Sequence, residues 1–358
     1  MRAEPSVIDR LPDGREEGRK RPSGTMKAAL PPRPGLGARL LGWLSPRPRR
    51  ATVPASGTEA AGPDGRESTR SMAARLIADD RYSFVLLADA SGRVTEPDAL
   101  AAWKVLGSQM AMVPAGNVPV IRCDGSLDVV DLGGFFMDRF AVTNRQYLRF
   151  VQAKGYDDLE IWPREVWPSV ARLTDRTGRA GPRDWEHGKF PAGRGEHPVV
   201  GVCWHEAVAY ARWVGKRLPT AAEWQKACGW PEHLGGGTCN RYPWGNVFEP
   251  ARANVSASGS GHTAPVGDFA SGATPNGIYQ MTGNVWEWLD DPLETIPCLP
   301  GESFQPWKPM RRILGGAFDT YLPGESACQF ITGQGELDRR DNIGFRCVLP
   351  LDQLRPLP

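Results

Sequence analysis

The stretch from Gly235 to Gly316 sets the strongest limit on the secondary structure of this chain. Glycine, proline and tryptophan crowd the stretch and helical periodicity is scarce, in a chain that holds 41 Gly, 33 Pro and 13 Trp among 358 residues. Glycine and proline favour turns, whereas large aromatic side chains stabilise a fold by being buried. The stretch therefore predicts irregular loops held in place by aromatic anchors and polar contacts.

Composition divides the chain into unequal parts. Residues 1–71 are rich in Pro, Gly, Arg and Ser, so they offer too little apolar surface to offset the entropy of an ordered chain. We therefore predict a disordered basic tail at 1–71, a helical lead-in at 72–111, one main domain at 112–350 and a short tail at 351–358.

Periodicity predicts the elements of the lead-in and of the first strands. Residues 72–87 have helical spacing, and Leu100, Trp103 and Leu106 fall on one face of a second segment. We expect two helices here, or a helix and a strand. Apolar residues on either side of a Pro-Ala-Gly-Asn turn at 114–117 predict a β-hairpin.

Capping residues mark two further helices. Thr143 or Asn144 is the expected N-cap of the first, and Thr220 with Glu223 three residues later forms a capping box for the second. Between these helices, the valines at 199–202 predict a strand.

Charge and hydropathy exclude several classes of protein. The formal net charge is +2 at pH 7, so we expect no nucleic-acid partner and no attraction to acidic lipid. No run approaches the roughly 20 apolar residues of a membrane helix, and the first residues lack a secretory apolar core. We therefore expect a cytoplasmic protein without a membrane contact. Seven cysteines without a CxxC pair argue against a zinc ribbon and a dense disulfide framework.

Several sequence blocks then follow one another in the order and spacing of a known family. They are RLPTAAEWQKA, RYPWGN, TAPVGDF, PNGIYQMTGNVWEWLDD, RRILGGAF and NIGFRCV. With these blocks the chain resembles the formylglycine-generating enzyme, or sulfatase-modifying factor, family. The resemblance covers residues 112–350. It implies an α+β domain with a variant of the C-type lectin fold and little regular secondary structure.

The family carries several functions on one scaffold. Its founding enzymes use copper to oxidise a cysteine of sulfatases, and related domains occur in sulfoxide synthases whose iron ligands come from a separate helical domain. Other members bind ligands through a variable lectin-type surface that retroelements diversify. A fold does not choose among such functions, so the site residues must.

The copper ligands of the family are altered here. Two cysteines follow a Gly-Gly-Ser triplet in the copper enzymes, whereas this chain has Ala317 in place of the serine and Thr320 in place of the first cysteine. Copper(I) prefers thiolate sulfur, and a hydroxyl is a hard, weakly acidic ligand. The resemblance therefore implies that copper is not a cofactor of this chain.

Cys328 can be aligned with the family in two ways. Counted forward from the glycine pair with an insertion, it is the second thiolate and the catalytic residue of an oxidase. Counted back from Cys347, it matches a structural disulfide position whose partner would be Cys228. The second count requires less distortion, so we expect Cys228 and Cys328 to be neighbours, bonded or not. Cys347 matches another disulfide position, but Ala211 replaces its partner, so we expect a buried free thiol.

Iron would require a partner chain. No HxxxH or HxxxHxE pattern sets two imidazoles on one helix face. The histidines are His187, His197, His205, His233 and His262. We interpret His205 as a solvated residue in the first turn of a helix.

The resemblance also implies structural calcium. Hard oxygen donors in irregular loops are typical calcium ligands. The implied ligands are Gly283, Val285 and Glu287 at one site, and Asn254 and Val255 at a second. Gln280 replaces an asparagine at the first site, and Ser258 replaces a carboxylate at the second. The alternative for Glu287 is a buried carboxylate that accepts hydrogen bonds from its own protein.

The interval from Asp319 to Asp341 occupies the place of the family's active site. Its Asp, Thr, Tyr, Gln and Gly residues make adaptable contacts at binding surfaces, and the same interval is the variable surface of the family's lectin-like binders. A solvated loop without a partner is the alternative. The candidate residues for binding a protein or a small-molecule ligand are Trp286, Asp319, Thr320, Tyr321, Gln329, Asp338, Arg340 and Asp341.

The sequence thus favours a family member that lacks the copper thiolate pair and acts as a ligand-binding or accessory module. A retroelement-diversified binder would have a near-copy of its 3′ end and a reverse-transcriptase gene nearby. The alternative is a metal-dependent oxidoreductase of the same family, which would oxidise a protein cysteine or a small thiol.

Overall fold

Three helices open the described part of the chain. The computed structural model describes residues 69–87, 94–121, 127–229, 239–294, 296–299 and 302–356, so the first 68 residues of the predicted tail lie outside it. The helices are α1 (Thr69–Ala78), α2 (Ser83–Leu86) and α3 (Glu96–Gln109). Asp80 has a left-handed φ of 61°, which ends α1 before α2 can begin.

Helix α3 packs one face onto the rest of the fold. It starts at an N-cap, Thr95, whose side chain accepts a hydrogen bond from the Asp98 backbone N–H. Trp103 and Leu106 are buried. Leu100 is 38% exposed and lies at the edge of the predicted apolar face.

A three-stranded antiparallel sheet receives these helices. Its strands are β1 (Met110–Val113), β4 (Phe135–Asp138) and β11 (Val348–Pro350), with β4 in the centre. Trp103 contacts Phe136 of β4 edge to face, with ring centroids 6.0 Å apart. The chain end also packs here, because Leu354 is buried in the same cluster.

The predicted hairpin around 114–117 is wrong. Strand β2 (Gly116–Ile121) pairs with β3 (Leu127–Leu132), whereas β1 pairs with β4. Both segments are strands as predicted, but they belong to different sheets, because the main sheet takes up β1 and leaves β2 to pair with its own successor.

An aromatic core lies between the next helices, α4 (Asn144–Gln152), α5 (Trp167–Val170) and α6 (Trp204–Trp213). The rings of Tyr147 and Tyr210 are stacked at 5.4 Å, and Phe345 contacts both. Thr143, one of the two predicted candidates, is the N-cap of α4 and forms a capping box with Gln146. The valines at 199–202 are not a strand. Only an isolated bridge forms nearby, between Thr143 and Pro198.

Helix α7 (Ala221–Cys228) begins at the predicted capping box of Thr220 and Glu223. Its Trp224 is fully buried and faces the second main sheet. Lys226 donates a hydrogen bond to the Gly116 carbonyl at 2.7 Å and so fixes β2 against the helix.

The second main sheet has the strand order β10-β5-β8-β9. Its strands are β5 (Trp286–Pro292), β8 (Met310–Leu314), β9 (Thr332–Gly335) and β10 (Ile343–Gly344), and a separate hairpin consists of β6 (Ile296–Leu299) and β7 (Glu302–Phe304). Residues 239–285 contain only short 3-10 turns and isolated bridges, as the composition predicts. The same prediction is wrong for the four segments β5, β6, β7 and β8, which form strands.

The described residues therefore form an α+β fold with two main sheets, two separate two-stranded hairpins, seven helices and long loops. Further 3-10 turns lie at Leu159–Ile161, Arg164–Val166, Pro250–Arg252, Ser256–Ser258, Ala270–Gly272, Pro323–Ser326 and Leu351–Gln353. Within the described ranges, the helices are too short and too polar to cross a bilayer.

Candidate functional site

Strand β8 ends in a turn that requires glycine. Gly315 and Gly316 have φ values of 103° and 75°, in the left-handed region. A Cβ on Gly316 would lie 2.3 Å from Oγ of Ser326, a distance that side chains do not tolerate. The turn therefore places Gly316 directly against Ser326 of the 3-10 turn Pro323–Ser326.

Thr320 closes this turn from inside. It is 6% exposed, and its hydroxyl accepts a hydrogen bond from the Ala317 backbone N–H at 2.8 Å. Its carbonyl accepts one from the Ser256 N–H at 3.1 Å. Of the predicted ligand-binding residues, Thr320 is thus a buried structural residue, and its neutral hydroxyl does not fit a copper(I) site.

Cys328 is bonded to Cys228 in a disulfide, with the two Cα atoms 6.0 Å apart. Both residues are fully buried. The structure thus makes them neighbours, as the backward count predicts, and links α7 to the 319–341 interval. Paired in this way, Cys328 has no free thiolate for a metal. Cys347 is a buried free thiol, and burial raises its pKa well above the usual range.

A buried ion pair lies on the other side of the glycine turn. Both carboxylate oxygens of Glu287 accept hydrogen bonds from Arg346, at 2.7 and 2.8 Å. The indole of Trp224 donates a further bond to Glu287 at 2.8 Å. Arg346 also donates to the carbonyls of Asp138 and Tyr279. The pair is almost completely hidden from water, so it joins β5, α7 and the chain after β10 into one unit.

These contacts bear on the predicted calcium ligands. Glu287 has its oxygens occupied by Arg346 and Trp224, as the alternative interpretation of this residue predicts. The Gly283 carbonyl accepts the Val285 N–H at 3.0 Å. A calcium ion at the first site would therefore have to displace a guanidinium, and the donor set does not fit the ion in this arrangement.

The second predicted calcium segment meets the first. Asn254 and Gly283 form a parallel bridge, and the Asn254 carbonyl accepts the Asn284 N–H at 2.7 Å. The Asn254 Oδ1 accepts hydrogen bonds from the hydroxyls of Ser258 and Ser260, and the Val255 carbonyl accepts one from Ser258 at 2.7 Å. The oxygens of Asn254 and Val255 are thus already hydrogen-bonded within the protein.

Part of the predicted binding set gathers at the β5–β10 edge. The ring of Trp286 lies 6.1 Å from that of Phe330, and the Trp286 backbone N–H donates to the Asn342 carbonyl. The Asn342 side chain in turn donates to the Asp319 carboxylate at 2.9 Å. Tyr321 follows Asp319 by two residues and is 80% exposed. We name Trp286, Asp319, Tyr321, Phe330 and Asn342 the exposed edge.

Other predicted residues of the interval have different surroundings. Asp338 is ion-paired with Lys308 at 2.8 Å, beyond β9. Gln329 donates to the Asn240 carbonyl at 3.0 Å and is a packing residue. Arg340 and Asp341 are exposed, and the Arg340 carbonyl accepts the Gly201 N–H.

Sequence reasoning missed Phe330 and Asn342. Asn342 opens the NIGFR block, so it was visible as a motif residue although not as a contact of Asp319. No sequence signal marks Phe330, because its role depends on the position of Trp286 across the sheet edge.

The described histidines do not form a metal centre. No group of three or more His, Cys, Asp or Glu side chains in the described ranges could hold a metal ion. His205 is buried and lies 3.5 Å from Glu336, so the prediction that it is solvated is wrong. Burial lowers its pKa, although Glu336 opposes this. His233 lies outside the described residues.

The fold and the site define an α+β domain built around a Gly-Gly turn, a buried Glu–Arg pair and an exposed C-terminal interval. The chain belongs to the sulfatase-modifying factor enzyme 1-like domain family, whose sequence pattern matches residues 98–351. The resemblance to this family is thereby confirmed, and with it the α+β fold of the family.

The chain is similar to two curated relatives and to one solved structure. The formylglycine-generating enzyme of Mus musculus is 32% identical over 321 residues, which cover 76% of this chain and 81% of that enzyme. The hercynine oxygenase of Mycolicibacterium smegmatis is 36% identical over 177 residues, 47% of this chain but only 40% of that protein. The structure of PvdO from Pseudomonas aeruginosa is 22% identical over 68% of this chain and 94% of that one, with a TM-score of 0.46.

Proposed function

We propose that this protein is a ligand-binding or accessory member of its family, without the copper chemistry of the formylglycine-generating enzymes. The ligand is a protein or a small molecule, and the exposed edge binds it. The observation that carries the proposal is the burial of Thr320 in the position of the first copper ligand, with its hydroxyl already used by Ala317.

The cysteine pairing supports the same proposal. A copper(I) site needs two thiolates that face one open position. Here the sulfur of Cys328 is bonded to Cys228, and both residues are buried. Among the cysteines whose side chains the structure describes, Cys203 and Cys347 belong to a different buried cluster from the disulfide, and Cys239 lies near it as a single thiol.

The composition of the exposed edge supports a binding role. Interfaces are enriched in aromatic residues that are rigid and half-buried, with polar groups around them. Trp286 and Phe330 are partly buried, Tyr321 and Asp319 are exposed, and Asn342 fixes the Asp319 carboxylate. A rigid scaffold that presents such residues on loops is a common arrangement for recognition.

Crosslinking in the native host, followed by mass spectrometry, would identify bound partners. The full chain should retain a partner that Tyr321→Ala and Trp286→Ala variants lose, with affinity reduced by about 30-fold for a central aromatic residue. Trp307→Ala is the matched control, since Trp307 is 85% exposed and lies outside the interval. Equal loss in the control, or full retention in both edge variants, would overturn the proposal.

The alternative is a metal-dependent oxidoreductase that acts on a protein cysteine or a small thiol, with iron only from a partner. The 32% sequence identity to a formylglycine-generating enzyme, over 81% of that enzyme's length, favours this alternative. Oxygen consumption with a cysteine-containing peptide tests it. Turnover that depends on added copper or iron would favour the oxidoreductase.

A further inference from the structure

A third cysteine lies beside the Cys228–Cys328 disulfide. Sγ of Cys239 is 3.7 Å from the carbonyl oxygen of Gly229, the residue that directly follows Cys228. A Cβ on Gly229 would lie 2.1 Å from that sulfur, so the absence of a side chain at Gly229 is what makes room for the thiol. Cys239 is therefore packed against the residue that directly follows one disulfide partner.

The same thiol also contacts the segment of the other partner. The side chain of Gln329, which follows Cys328, hydrogen-bonds the Cys239 thiol. The Gln329 amide donates to the Asn240 carbonyl at 3.0 Å, and the Cys328 N–H donates to the Arg241 carbonyl at 2.8 Å. Residues 239–241 thus lie between the two chain segments that the disulfide joins.

We propose that Cys228, Cys239 and Cys328 form a thiol–disulfide exchange site. The Cys239 thiolate attacks the Cys228 sulfur, the bond from Cys228 to Cys328 breaks, and Cys328 leaves as a thiolate that takes up a proton. One sulfur–sulfur bond forms as another breaks, so the step consumes no oxidant or reductant.

Cys228 is the expected point of attack because Cys239 packs against the residue next to it. The exchange has two consequences. It frees a thiol at Cys328, and it moves the covalent anchor away from the 319–341 interval and onto 228–239. The freed Cys328 thiolate would then exchange with small disulfides of the oxidised-glutathione class, forming a mixed disulfide and releasing one small thiol. This proposal does not depend on ligand binding at the exposed edge.

The surroundings of Cys239 set the rate of exchange. Burial raises the pKa of this thiol, although its hydrogen bond with Gln329 acts in the opposite direction. Since the thiolate is the nucleophile, exchange should be slow at neutral pH and faster at higher pH.

Disulfide mapping of the full chain in a glutathione redox buffer tests the proposal. After non-reducing digestion of a Cys328→Ser variant, the linked peptide pair should be Cys228–Cys239. A Cys347→Ser variant is the control, since that thiol is buried elsewhere and should leave the Cys228–Cys328 linkage unchanged. A folded Cys328→Ser variant in which Cys228 carries only glutathione would overturn the proposal.

A second measurement keeps both cysteines of the native disulfide in the protein. In wild-type protein at pH 8, exchange should expose Cys328 to alkylation, and Cys239→Ser should slow this labelling at least about threefold. Labelling of Cys347 serves as the reference for global unfolding. Equal labelling of Cys328 with and without Cys239 would contradict the exchange site.

Discussion

Replacing Arg346 should destabilise the protein more than most single substitutions. In an Arg346→Met variant the buried Glu287 carboxylate keeps only the Trp224 indole as a donor among its present partners, and the carbonyls of Asp138 and Tyr279 lose theirs. Glu287 is 1% exposed and Arg346 is 0% exposed, so water does not compensate for the loss. Breaking such a buried pair by removing one partner costs about 3–5 kcal/mol in free energy of unfolding.

Urea unfolding, followed by circular dichroism, measures this cost. Arg340→Met is the matched control, because Arg340 lies on the same segment but is exposed, and it should change stability by less than about 0.5 kcal/mol. The double variant Glu287→Gln, Arg346→Met removes the stranded charge as well and should recover part of the loss. A loss under about 1 kcal/mol for Arg346→Met, at an unchanged dependence on urea, would refute the argument from burial.

Three further perturbations have clear expected outcomes. Gly316→Ala should lower the free energy of unfolding by about 1–3 kcal/mol, because both the φ of Gly316 and its contact with Ser326 oppose a side chain. Gly193→Ala is the control, since Gly193 has a similar φ but open space around it, and it should lower this free energy less. Denaturant unfolding curves of the two variants measure the difference. Adding calcium after EDTA treatment should leave the midpoint of thermal unfolding unchanged. A rise of that midpoint by more than about 2 °C would show that the protein binds calcium. Burial raises the pKa of the Asp175 carboxyl, but hydrogen bonds from Thr177 and from backbone N–H groups outweigh it and lower this pKa. The ionised carboxylate therefore stabilises the fold at neutral pH, and this stabilisation is lost as the pH falls below about 4. In a profile of stability against pH, Asp175→Asn should flatten the decline in acid.

The local signals of the sequence were sufficient where one short segment decides the structure. Thr143 and Thr220 begin helices because each side chain and the residue three positions later satisfy each other's backbone groups. The family motifs, taken together, also predicted the α+β class and the proximity of Cys228 and Cys328.

Pairings between distant segments could not be predicted in this way. The apolar pattern around 114–117 predicts two strands but does not say which strands they join, and β1 pairs with β4 only in the folded sheet. Glu287 and Arg346 are separated by 59 residues, so neither residue signals the other, and the calcium interpretation of Glu287 followed from its motif alone. Likewise, nothing local to His205 indicates that Glu336 lies beside it in a buried position.

Copper binding by the unreduced full chain is the decisive measurement for this protein. With Cu(I) supplied in a chromophoric chelator, the chelator should retain the metal, because Thr320 is buried without a thiolate and Cys328 is bonded to Cys228. Withdrawal of one equivalent of Cu(I) per chain, abolished by Cys328→Ser, would contradict this prediction.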